Sequence, residues 1–155
     1  MKNLVCLIIL SLTLLFNVFG QTPKTEKEWF TLGFKQREEY KFSESVISFT
    51  ECLKINPNSS PCLGLRAKSY WNLSKLDLAE KDFNRSIELS PNTPALYLNR
   101  GEFRQSFLDN QKNELALADF TKAIQLKPDF AEAYYFRGQS FVFKKDYNAA
   151  ETDYK

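Results

Sequence analysis

From residue 26 onward, apolar side chains recur every three or four positions, in short runs broken by turn residues. Trp29, Leu32 and Gly33 share one helical face, and Phe42, Ser45, Phe49 and Cys52 share the next. The alternation continues with Leu63, Ala67 and Tyr70, then Leu76, Ala79, Phe83 and Ser86. Tyr97 and Gly101 follow, then Ala116, Phe120 and Ala123; Tyr134, Gly138 and Phe141 precede Tyr147, Ala150 and Tyr154. This is the spacing of amphipathic helices, not strands. It predicts helix pairs, joined in each case by a turn.

The pairs are copies of one another. DFTKAIQLKPDFAEAYYFRG at 119–138 recurs at 82–101 as DFNRSIELSPNTPALYLNRG and more faintly at 48–67. Pro57, Pro91 and Pro128 mark one point, 34 and then 37 residues apart. A period of this size predicts a stacked repeat. The units run 26–59, 60–93, 94–130 and 131–155, after a polar lead at 21–25. The third carries three extra residues within 108–113, about one helical turn, expected to lengthen its first helix or to protrude as a loop.

Gly33, Ala67, Gly101 and Gly138 share a position that demands close helix approach, since a helical glycine costs up to ~1 kcal/mol relative to alanine. Ser45, Ala79, Ala116 and Ala150 do the same on the second helix, beside Phe49, Phe83, Phe120 and Tyr154. Pro61 and Pro94 suit first turns, with Ser60 and Thr93 before them as caps. Ser43, Asp77 and Asn148 are expected to cap second helices.

Two charges travel together. Arg66, Arg100 and Arg137 precede the small residue; Asp82, Asp119 and Asp153 precede the aromatic. The first unit has Leu32 and Ser48 there and lacks both charges. This co-occurrence predicts an ion pair linking the two helices of each later unit, a structural rather than catalytic feature.

The pattern W-x2-L-G … A-x3-F-x2-A … P, carried by Trp29-Leu32-Gly33 and Ala116-Phe120-Ala123-Pro128, resembles the tetratricopeptide repeat over residues 26–155. Gln36 and Arg104 depart from it where an aromatic is usual, Cys52 and Ser86 where alanine is. The resemblance implies an all-α fold, a right-handed superhelical stack of about 3.5 antiparallel helix pairs. It also implies a concave face lined by the first helices. Inward positions would be Phe30, Phe34 and Arg37; Leu65, Lys68, Trp71 and Asn72; Leu98, Asn99 and Glu102; Tyr135, Phe136, Gln139 and Phe143. Of these, Phe34, Leu65, Lys68, Trp71, Asn72, Asn99, Glu102, Tyr135 and Gln139 are the expected partner-binding groove. Family members that seize acidic chaperone tails use Lys and Asn at positions held here by Phe30, Phe34, Leu65, Ala95 and Asn99, so such a clamp is not expected. A protein or peptide partner with apolar anchors suits the groove better.

Composition narrows function by exclusion. The chain of 155 residues has no histidine, which removes His-based acid–base catalysis, triads and His metal sites. No phosphate loop or nucleophile elbow is present, so no catalytic residue, metal or cofactor is expected. Met1-Lys2-Asn3 and the apolar, uncharged run 4–19 resemble an export signal cut after Gly20, or else an uncleaved anchor. Either way the repeats would lie outside the cytosol, periplasmic or secreted, with membrane contact only through 4–19 if uncleaved. Beyond residue 20 the balance is 20 basic to 19 acidic residues, which argues against nucleic acid. Cys52 and Cys62 either pair or stay as small buried thiols, the register with Ser86 and Ala123 favouring thiols. Asn58, Asn72 and Asn84 begin Asn-x-Ser triplets, which matter only where exported chains are glycosylated. The last unit has no polar capping helix, so self-association there, or a longer protein whose enzymatic or signalling domain lies beyond residue 155, is the alternative to a free-standing scaffold.

Overall fold

The computed structural model describes Pro23 and residues 25–155; the expected leader 1–20 lies outside them. The described residues form helices and turns with no strand: α1 (Glu26–Glu38), α2 (Phe42–Ile55), α3 (Ser60–Asn72), α4 (Leu76–Leu89), α5 (Pro94–Gln105), α6 (Asn110–Leu126), α7 (Ala131–Phe143) and α8 (Tyr147–Tyr154). Each odd-numbered helix packs most heavily on the helix that follows it, and α2–α3, α4–α5 and α6–α7 join the units. The chain is a stack of antiparallel helix pairs. Among the described residues no helix is long and apolar enough to cross a membrane.

Small residues set the spacing within a pair. A Cβ placed on Gly101 would stand 2.4 Å from the Phe120 ring, and one on Gly138 2.5 Å from Tyr154. Phe49, Phe83 and Phe120 are completely buried beside these contacts, while Tyr154, at the same register, is 49% exposed. The core therefore runs as linked clusters along the stack, one around Phe49, one around Phe83 and Phe103, one around Phe120. A fully buried aromatic contributes about 1.5–3 kcal/mol.

The turn inside each unit is shared too. Tyr40, Ser74, Leu108 and Lys145 all have positive φ, from 50 to 63°; each lies seven residues beyond its unit's small residue. None is glycine, although the left-handed region costs other residues roughly 1–2 kcal/mol. In three units the next residue donates its N–H back across the helix end, Lys41 to Gln36, Lys75 to Tyr70 and Asp146 to Phe141, satisfying carbonyls that the helix leaves open.

The third unit departs after Leu108. Its first helix is not lengthened and no loop protrudes; the three extra residues form an added turn at the start of α6, which has 17 residues against 14 in α2 and α4. Asp109 supports that turn by accepting from the Lys112 N–H. The expected caps also need correction. Ser43, Asp77 and Asn148 lie inside their first turns, behind the N-caps Lys41, Lys75 and Asp146. Ser59, not Ser60, precedes α3, and Thr93 holds its cap position without a side-chain bond. Ser60 instead donates across the seam to the Ser86 carbonyl, 2.9 Å away.

Candidate functional site

Three forked ion pairs hold the first helices of the later units in place. Arg66 contacts Asp82 at 2.7 and 3.0 Å, Arg100 contacts Asp119 at 3.0 and 2.6 Å, and Arg137 contacts Asp153 at 2.8 and 2.6 Å. All three aspartate side chains are less than 10% exposed. Burial alone would lower the Arg66 pKa, but bonding to Asp82 outweighs it and raises the group above its ordinary value. Two of the arginines also reach back one unit, Arg66 to the Thr50 hydroxyl and Arg100 to the Asn84 side-chain amide oxygen Oδ1. Arg104 adds a second cation to Asp119 at 2.7 Å. In the first unit, where both charges are missing, Ser48 donates to Gln36 at 2.6 Å instead.

Cys52 and Cys62 are disulfide-bonded across the α2–α3 seam, with Cα atoms 6.5 Å apart and both side chains fully buried. This corrects the expectation of free thiols. Register alone equates Cys52 with Ser86 and Ala123 and is blind to Cys62 approaching from the next helix. The Glu26 carboxylate stands beside the pair and accepts from the Asn56 amide at 3.1 Å. Sulfurs joined to each other are not thiolate ligands.

With the frame fixed, the concave face shows a cleft of about 610 Å³. Trp71 of α3 lines it, with Glu102 and Gln105 of α5 and Ser106 at that helix's C-terminal cap. Phe136, Gln139, Val142 and Phe143 of α7 line it too, as do Leu108 and Asn113. Trp71 is braced edge-on against buried Phe103, ring centroids 5.9 Å apart. Phe136 stacks on Phe120 at 5.9 Å, so one ring serves both core and cleft. Gln105 donates to the Phe136 carbonyl and the Ser140 hydroxyl, and Asn113 to the Ser140 carbonyl. These bonds tie α5 and α6 to α7 beneath the cleft. Leu108, Val142 and Phe143 remain exposed.

Of the expected groove residues, Trp71, Glu102 and Gln139 line this cleft. Lys68, Asn99 and Glu102 come together beside it: the Lys68 ammonium donates to Asn99 at 3.1 Å and lies 3.8 Å from Glu102. Burial raises the Glu102 pKa, Lys68 partly opposes this, and Glu132 adds to it. Leu65 is half-buried against the Phe49 cluster. Asn72 is outside the cleft, its amide donating to the Lys68 carbonyl. Phe34 is exposed and lines no part of the cleft. Tyr135 belongs to a separate depression of about 470 Å³ with Pro128 and Tyr154. Gln105, Ser106, Leu108, Asn113 and Val142 were not expected there. Gln105 and Val142 share the register of Trp71, a signal that was available. Asn113 belongs to the turn added at the start of α6, and Leu108 holds the positive-φ turn position common to all four units.

Sequence comparison agrees with this architecture. A TPR repeat model matches residues 105–144, and a Tetratricopeptide repeat model matches residues 60–93. The chain carries tetratricopeptide repeats. Among curated proteins none matches it in sequence. Solved structures match in fold. A thermophilic TPR protein of Thermus thermophilus has a TM-score of 0.75 at 19% identity, over 83% of this chain and 71% of that one. The first TPR domain of human RPAP3 gives 0.73 at 24% identity, over 82% and 98%. The first TPR of Spaghetti (RPAP3), bound to the HSP90 peptide SRMEEVD, gives 0.65 at 23% identity, over 83% and 91%. The tetratricopeptide fold is that of a protein–protein interaction scaffold, and such arrays are generally non-catalytic.

Proposed function

We propose that this tetratricopeptide array is a non-catalytic, exported scaffold whose concave face holds a peptide or protein segment with apolar anchors. The observation that carries the reading is the cleft between Trp71 and α7, where Leu108, Val142 and Phe143 stay exposed although the surrounding frame is rigidly tied. Exposed apolar surface in a concave site marks contact with a partner. The peptide-bound relative supports peptide binding as a use of this fold. Lys68 is already held by Asn99 and Glu102, which disfavours a clamp for acidic tails. Export is supported by the apolar run 4–19 and by a buried disulfide, which persists in oxidising compartments.

Peptides recovered from a displayed library on wild-type protein should lose binding to Trp71→Ala and Phe143→Ser variants but not to Ile47→Ser, a change on exposed α2 surface. Equal recovery by all four proteins removes the cleft from the function. Export is tested by the N-terminus of the expressed chain, which should begin at Gln21; retention of residues 1–20 in a membrane fraction points to the anchor instead.

A further inference from the structure

Among the residues that line the cleft, only Glu102 carries a charge. Its carboxylate is also exceptional in its bonding. Every other buried or half-buried carboxylate among the described residues accepts a hydrogen bond. Asp82, Asp119 and Asp153 accept from arginines, Glu26 from Asn56, Glu51 from Lys54 and Glu80 from Lys112. Glu102 accepts none. The Lys68 ammonium, 3.8 Å away, is beyond hydrogen-bond reach and donates to Asn99 instead.

The charges around Glu102 are unbalanced as well. Lys68 of α3 faces it, while Glu132 in the first turn of α7 acts on it as a second acid. One cation thus answers two carboxylates. A half-withdrawn carboxylate without a donor disfavours the folded state, and a glutamine would fill the same space. Packing of the free chain therefore gives no reason for an acid here. The Glu102 side chain keeps 19% of its surface exposed and lines the open cleft, so an incoming group can reach it.

We propose that the partner held in this cleft is basic, with a lysine or arginine beside its apolar anchor, and that the Glu102 carboxylate accepts from that cation. The inference rests on the concave-face reading above and adds the sign of the partner's charge and the residue that reads it. The apolar anchor packs against Trp71 and Phe143, which share the cleft with Glu102. The cation supplies the hydrogen bonds that Glu102 lacks and offsets the surplus acid of Glu132. Side chains on one face lie about two positions apart in an extended peptide and about three or four apart in a helix. Cation and anchor accordingly fall within about four positions of each other.

The probe is a randomised dodecapeptide display library, selected on wild-type protein and counter-selected on Trp71→Ala. The strongest binders are then synthesised with both termini blocked. Each should carry Lys or Arg within about four positions of an aromatic or large aliphatic residue. Replacing that cation by glutamine should weaken binding about 10- to 100-fold, as for other charge-assisted contacts. Glu102→Gln should cost the same, with no further loss when both changes are combined. The free Glu102→Gln protein should melt at neutral pH at or above the wild-type temperature, because a carboxylate without donors has been removed. Binders without a cation, additive losses, an unchanged affinity for Glu102→Gln, or a lowered melting temperature would each overturn the role of Glu102 while leaving the groove. No enrichment, or enrichment only of peptides that also bind Trp71→Ala, would refute the groove reading and this inference with it.

Discussion

Replacing each helical glycine by alanine separates two effects that usually travel together. Every such change gains about 0.5–1 kcal/mol of backbone propensity; what differs is the room for a methyl group. At Gly64 the new Cβ meets only Leu96 Cδ2 at 3.2 Å, the end of a flexible side chain, and the Ser86 hydroxyl at an ordinary 3.9 Å. Gly64→Ala should therefore stabilise the chain by up to ~1 kcal/mol. At Gly101 the Cβ stands 2.4, 2.8 and 2.9 Å from three atoms of the Phe120 ring. That ring is 0% exposed and stacked on Phe136, so about 1 Å of relief must come from the packed seam. Overpacking of this kind costs about 1–3 kcal/mol, leaving Gly101→Ala ~1–2 kcal/mol less stable than wild type. Gly138→Ala meets Tyr154 just as closely, but that ring is half exposed and can swing outward, so the loss should be smaller. Urea denaturation followed by circular dichroism measures all three. Gly101→Ala as stable as Gly64→Ala would show that close helix approach does not set the spacing of the pairs.

A double-mutant cycle on Arg100→Ala and Asp119→Ala should give a coupling of about 1.5–3 kcal/mol, because the pair is forked and Asp119 is almost wholly buried. The exposed Arg85–Glu88 pair should couple by less than about 0.5 kcal/mol in the same assay; equal couplings would deny burial any part in the strength of the first. Glu102 should make stability depend on pH. Its pKa is raised from 4.5 by burial, so the folded state keeps the proton longer than the unfolded one. The stability it contributes is complete below about 4.5 and is lost as pH rises through the higher folded value. Glu102→Gln should flatten the fall in melting temperature over that window, and a curve parallel to wild type would contradict the burial of its charged form.

What the order of residues determined by itself was everything local or repeated. Helical periodicity is set by neighbours three and four apart, and a tandem chain displays its own alignment, so the pairs, the Gly101–Phe120 contact and the partnering of Arg100 with Asp119 were all legible. The departures arise where two distant segments meet or where the copies differ. Three extra residues near Leu108 fit a loop or either helix equally well, and only packing against α7 placed them in α6. Cys52 and Cys62 form a bond because α2 and α3 bring their Cα atoms to 6.5 Å, a separation that no spacing along the chain encodes. Lys68, Asn99 and Glu102 are each expected in the groove from their positions, and the fold binds the Lys68 ammonium to the other two on the neighbouring helix. Side-chain type is a property of one position, whereas satisfaction of a charge depends on which helix the fold lays beside it.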